Sequence, residues 1–229
     1  MKNIFVIVSL LLFSVACNPD KPKFNTALTE NSTPIDGVLP FFNGDVMDPY
    51  WSKEGKQPES LRRLTGFTLV SDSGDAITEE KLIGKYKLLV FFYAKCKGIC
   101  PMITRNMIDF LPRINDKSDL EIISITVNPE EDTVEELKKF KKQYRITQNN
   151  WSFLTGPKDT IYTLARKQFN ADIQMVQGAE NLNDFVHTEN IYLIDKKNYL
   201  RGFYRAKGTG DLDRLLVEYQ TLKKETSKN

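Results

Sequence analysis

The chain has 229 residues, 41% hydrophobic and 27% charged, with 32 Lys and Arg against 30 Asp and Glu for a net charge of +2. That size fits one compact domain with extensions, and the balanced charge excludes a strongly basic surface of the kind that grips nucleic acid. Three cysteines and one histidine leave few metal or nucleophile constellations to consider.

The chain opens MKNIFVIVSLLLFSVAC. Lys2, an apolar run from Ile4 to Phe13 and small residues before Cys17 form the pattern of an export signal over residues 1–16. The run is shorter than the roughly 20 residues a transmembrane helix needs. Cleavage before a cysteine is what bacterial lipoprotein processing does, and Ser14-Val15-Ala16-Cys17 resembles a lipobox, with Ser14 where Leu is usual. This reading makes Cys17 the lipid attachment and places the protein in the bacterial cell envelope, on the periplasmic face, anchored to the membrane by lipid. An uncleaved N-terminal anchor and an ordinary secretory signal are the alternatives. Two cysteines then remain in an oxidising compartment, where a thiol pair becomes a disulfide unless a thiol reductant partner or a bound metal prevents it.

Residues 17–37 are polar and rich in Pro, Asn and Thr, which predicts a flexible tether. Residues 38–65 begin VLPFFNGDVMDPYW and are expected to form an aromatic arm packed on the domain that follows, 66–225. GFTLVSDSGDAIT predicts a strand, a turn at Asp72-Ser73-Gly74-Asp75 and a second short strand. Leu88 to Tyr93 is continuously apolar, as in a strand buried on both faces. Met102, Ile103, Met107, Phe110 and Leu111 have helical spacing over 101–111, and EIISITV at 121–127 predicts a strand.

Asn128-Pro129 is a turn, and Thr133 with Glu136 forms a capping box that opens a helix over 134–144. Its lysines at 138–142 are expected to form a solvated face. A short strand at 151–155 and a helix at 158–168 follow. Strands at 190–195 and 202–205 are joined by a Lys-Lys-Asn turn. The last helix starts near Thr209 and is expected to bury Leu212, Leu215, Leu216, Tyr219 and Leu222. Strands alternating with helices predict an α/β domain. The element order looks like a thioredoxin-like fold, with a central mixed sheet flanked by helices and the 190–205 hairpin as its antiparallel edge.

Cys96 and Cys100, in LLVFFYAKCKGICPMITRNM, fall between the end of the buried strand and the start of a helix. Helix N-terminal N–H groups favour thiolates, and a thiolate serves both disulfide exchange and soft-metal binding. Three residues separate the pair, one more than in a thioredoxin-type redox motif. If helix reaches back to Cys96, the i, i+4 relation puts both sulfurs on one face, and Gly98 lets the loop bend. A third ligand is available in His187, in DFVHTENIYLID, just before the strand at 190–195. In a thioredoxin-like sheet that loop faces the cysteines. Two thiolates and an imidazole form a soft set that favours Cu(I). Zinc would need a fourth ligand, for which Asp184 or Glu189 is the candidate. Met102 and Met107 have core spacing rather than ligand spacing.

The segments FTLVSDSGDAIT, LLVFFYAKCKGICPMITRNM, SITVNPEEDT, WSFLTG and VHTENIYLID resemble, in order over residues 64–223, the Sco (SCO1/SenC) copper chaperones of cytochrome c oxidase assembly. The resemblance implies that Cys96, Cys100 and His187 bind copper, as Cu(I) or Cu(II). It also implies a partner in the CuA subunit of cytochrome c oxidase or another cuproprotein, whose cysteines the thiols reduce before metal transfer. Asn128 stands where the family usually has Asp, and Lys95 and Lys97 make the cysteine loop more basic than expected.

The alternative function is an extracytoplasmic thiol–disulfide reductase that uses Cys96 and Cys100 as a catalytic redox pair. Reductases of the thioredoxin type place a cis-proline opposite the cysteines, whereas this chain has no proline after Pro157 and offers His187 there. A peroxiredoxin-like reading lacks the threonine and arginine context of a peroxidatic cysteine.

Overall fold

The computed structural model describes residues 33–45, 47–51, 60–171, 174–175, 185–186 and 189–227. The export signal, Cys17 and most of the tether expected at 17–37 lie outside the described residues. Among the described residues no helix is long and apolar enough to cross a membrane.

Strands β1 (Phe41–Asn43) and β2 (Asp48–Tyr50) pair antiparallel. A hairpin follows, β3 (Thr68–Ser71) and β4 (Ala76–Thr78), closed by a turn in which the Ser71 N–H donates to the Asp75 carbonyl at 2.9 Å. Then come β5 (Tyr86–Phe92), α1 (Cys100–Phe110), β6 (Leu120–Thr126), α2 (Val134–Gln143), β7 (Trp151–Thr155) and α3 (Lys158–Thr163). A two-residue ladder, β8 (Gln174–Met175) with β9 (Phe185–Val186), precedes β10 (Asn190–Ile194), β11 (Leu200–Arg205) and α4 (Thr209–Thr226).

One seven-stranded sheet runs β11-β10-β5-β6-β7-β3-β4. β5, β6 and β7 are parallel, and the outer strands are antiparallel. Successive parallel strands step the same way across the sheet, so right-handed crossovers put α1 and α2 on one face. α4 joins them there: Tyr219 packs edge-on to Tyr86, and Phe140 of α2 packs on Phe92 and Phe153. Phe91 points the other way, as strand alternation requires, and meets Phe169 and Tyr192. All seven residues of β5 are therefore buried, the sheet being covered on both faces as expected for its central strands.

Several elements depart from the sequence reading. β5 begins two residues early, at Tyr86 and the fully buried Lys87. The 158–168 helix changes character at Leu164, where a single π-helical turn runs to Gln168. That turn sends the Gln168 amide to Thr65, accepting its N–H at 3.2 Å and donating to its carbonyl at 2.7 Å. The capping box is half formed: Thr133 Oγ1 accepts the Glu136 N–H at 3.4 Å, while the Glu136 carboxylate turns to Lys139. Of the lysine face, Lys138, Lys139 and Lys142 are exposed, but Lys141 reaches in to Asp72 and the Trp151 carbonyl. On α4, Leu212, Leu215, Tyr219 and Leu222 are buried and Leu216 only partly.

The hairpin β10–β11 turns at Asn198, whose φ of 69° suits an asparagine. Its register slips so that Leu193 faces Gly202 while Ile194 faces Leu200, leaving Arg201 as the extra residue of a bulge. The bulge aims Arg201 at the aromatic arm. Its guanidinium donates to the Leu39 and Pro40 carbonyls at 2.7 and 3.0 Å, pairs with Asp195 and Glu225, and lies 4.0 Å from the centre of the Phe41 ring. Leu39, Phe41 and Phe42 are buried in consequence.

Candidate metal centre

β5 ends at Phe92, and the chain leaves the sheet through Tyr93-Ala94-Lys95 before α1 begins at Cys100. Helix does not reach back to Cys96, because the Cys96 N–H closes a turn on the Tyr93 carbonyl at 3.3 Å and Pro101 marks the first turn of α1. The two sulfurs meet nonetheless. Cys96 and Cys100 form no disulfide; they are 8% and 1% exposed and joined by a side-chain hydrogen bond. The i, i+4 helical face expected from the spacing is thus replaced by a loop-to-helix approach. Gly98 has no left-handed backbone, and a Cβ there would meet Cys96 Sγ at 3.8 Å, an ordinary contact.

The Cys100 thiol is pushed far above its usual range, first by the hydrogen bond to Cys96 and then by burial, with the charge of Asp132 adding to both. Metal-free, Cys100 holds its proton. A metal that binds the Cys100 sulfur must displace that proton, so affinity falls with acidity.

Around the pair, Lys95 is salt-bridged to Glu131 at 2.8 Å, and Lys97 is exposed. Met107 is in the core, whereas Met102 is only half-buried. Asn128 is buried and uses its backbone N–H to donate to Thr126 Oγ1 at 3.0 Å. Two residues escaped the sequence reading. Asp132, 1% exposed, accepts the Ala94 N–H just before the cysteine loop. Tyr144, its ring tilted against Phe140 with centroids 4.6 Å apart, lies within electrostatic reach of both thiols, and burial raises its hydroxyl pKa. Nothing local marks either residue, because Asp132 comes from the β6–α2 connection and Tyr144 from the C-terminal end of α2.

His187, like Asp184, lies outside the described residues. The strand after it is placed: β10 pairs antiparallel with β5, Ile191 opposite Val90. Antiparallel pairing starts β10 at the pole where β5 ends, which is the cysteine pole. Glu189, just before β10, accepts the Ala206 N–H through its carbonyl. Among the described residues no three His, Cys, Asp or Glu side chains converge as a metal cluster.

Comparison with known proteins agrees with this geometry. The SCO1/SenC family pattern matches residues 55–216, well over half of the chain. A curated relative, the SCO1 protein homolog of Bacillus subtilis, is 33% identical over 130 residues, which are 56% of this chain and 66% of that protein. The chain thus spans just under two thirds of that relative's length. The solved structure of BsSco, a member of the Sco family of cytochrome c oxidase assembly proteins for which a disulfide switch is identified, superposes with a TM-score of 0.60. It is 28% identical and covers 70% of this chain and 93% of its own. Arabidopsis thaliana ScoI, solved with copper bound, shares the fold at 24% identity and a TM-score of 0.58, covering 69% of this chain and 96% of its own.

Proposed function

The chain belongs to the SCO1/SenC family, and from that premise we propose that it is a copper-handling assembly factor of the cell envelope. Cys96 and Cys100 hold Cu(I) through their sulfurs and His187 completes the set through a ring nitrogen. The carrying observation is the pair of buried, mutually hydrogen-bonded thiols at the pole where β10 begins. Cu(I) suits such a set because it is soft and accepts low coordination. Handover proceeds by ligand exchange with cysteines of the acceptor, the CuA subunit of cytochrome c oxidase or another cuproprotein. Cys17 carries lipid and ties the protein to the periplasmic face of the membrane, and a thiol reductant keeps the pair reduced.

A second reading uses the same sulfurs as a thiol–disulfide reductase, and their direct hydrogen bond favours it, since sulfurs that close need little movement to bond. The test is an anaerobic Cu(I) titration against a chromogenic competitor, on reduced protein freed of residues 1–23, beside His187→Ala and the Cys96→Ser/Cys100→Ser double variant. One tight equivalent, weakened without His187 and abolished without both cysteines, is the expected result. Absence of tight copper, or indifference to His187, overturns the three-ligand site and leaves the reductase.

A further inference from the structure

Thr126 ends β6 beside Phe92, the end of β5, and the Val127 N–H still donates to the Phe92 carbonyl at 2.8 Å. The chain then folds over the Asn128 carbonyl, which accepts the N–H groups of Glu131 and Asp132 at 3.2 and 2.9 Å. This turn returns Asp132 to the strand ends. Its Oδ2 accepts the Ala94 N–H at 2.9 Å and the Thr126 hydroxyl at 2.5 Å. The neighbouring Glu131 takes Lys95. Two successive residues of the β6–α2 connection therefore grip the two residues that precede Cys96.

The grip rests on one oxygen of the Asp132 side chain. Oδ1 of Asp132 is buried and has no hydrogen-bond partner among the described residues. Burying a carboxylate costs several kcal/mol unless it is compensated, and both donors on Asp132 are neutral and share one oxygen. A neutral side chain would satisfy the same two donors at lower cost. Burial accordingly raises the Asp132 pKa, and the two hydrogen bonds only partly offset it.

We propose that Asp132 is a positioning residue of the cysteine site, holding the Ala94–Cys96 backbone against the end of β6 so that the two sulfurs converge on one occupant. This rests on the reading of Cys96 and Cys100 as the metal-holding pair. In a loosened loop the separation of the two sulfurs is no longer set, and bound copper is released more readily. Formation of the Cys96–Cys100 disulfide depends on that same separation.

The experiment compares the full chain in detergent micelles with Asp132→Asn, Asp132→Ala and Thr126→Val. One readout is anaerobic Cu(I) affinity. The other is the exchange equilibrium with glutathione, in which the two thiols form a disulfide and one oxidised glutathione becomes two reduced ones. The carboxamide oxygen of Asp132→Asn accepts both donors, so its Cu(I) affinity should stay within threefold of the parent. Asp132→Ala releases Ala94 and should lose at least tenfold in Cu(I) affinity, with the thiol–disulfide equilibrium moved tenfold, about 30 mV. Thr126→Val, which keeps the fold should the alanine variant not, should lose at least threefold in Cu(I) affinity. Unchanged affinity and exchange in the alanine and valine variants, with only a lowered melting temperature, would overturn the proposal and leave Asp132 as a fold residue. If the parent binds no copper, the copper reading fails, while a shifted exchange equilibrium still upholds the positioning role.

Discussion

Lys87 sits in the central strand with no exposed surface. Its Nζ donates to the Asp195 carbonyl at 2.6 Å and to the side-chain oxygen of Asn198. Two acceptors suit a neutral amine, whereas an ammonium has a further N–H to place. Burial pulls the Lys87 pKa from 10.5 down to about 7, against the opposing charge of Asp195. The unfolded chain keeps the ordinary value, so between those two pH values it binds a proton that the folded chain has lost. Stability must then rise with pH through that window, by up to ~1.4 kcal/mol per unit and by a total on the order of 4 kcal/mol. Below the folded pKa the penalty is complete and constant; above the unfolded one it is gone. Lys87→Met removes the titration but strands two buried acceptors, each costing about 1–3 kcal/mol. Its stability should be flat over the window, close to the parent at neutral pH and clearly lower in alkali. Urea unfolding followed by tryptophan fluorescence under reductant, with linear extrapolation at several pH values in the window, measures the difference. Parallel curves for parent and variant would refute the reasoning.

Two further outcomes are expected. Arg201→Leu should cost about 3–5 kcal/mol, because it leaves Asp195 and Glu225 without their buried cation; limited proteolysis should then cut within 38–51, and an arm that stays resistant would show that the aromatic contacts suffice alone. Cu(I) affinity should climb with pH by about tenfold per unit for each thiol proton displaced, as competitor titrations on the acid side of neutrality would show; a flat profile would mean that the thiolates exist before the metal arrives.

The strand–cysteine–helix unit was legible because its signals are local: a continuous apolar run, a proline and a helical stripe. The half-formed capping box, the turn at Asn198 and the terminal helix were legible for the same reason. Lys87 hid two residues of β5, since a lysine in a strand interior argues against burial until its partners, 108 and 111 residues away, are known. The bulge at Arg201 and the grip of Asp132 on Ala94 are likewise products of chain segments meeting in space. The π-turn at Leu164–Gln168 keeps helical spacing almost intact, so periodicity could not reveal it. The cysteines announced chemistry by their scarcity, but the helical face assigned to them failed because a turn on Tyr93 precedes the helix.

The Arg201 clip also decides how the molecule carries mechanical load. Leu39 and Pro40 are fastened beside Asp195, where β10 ends and β5 begins. The cysteines stand at the opposite end of β5, a strand of seven residues and so about 23 Å long. A pull on the chain ahead of Leu39 is borne by the guanidinium, Glu225 at the end of α4 and the sheet, and ends there. The cysteine loop lies off that line of force, fastened separately to Glu131 and Asp132.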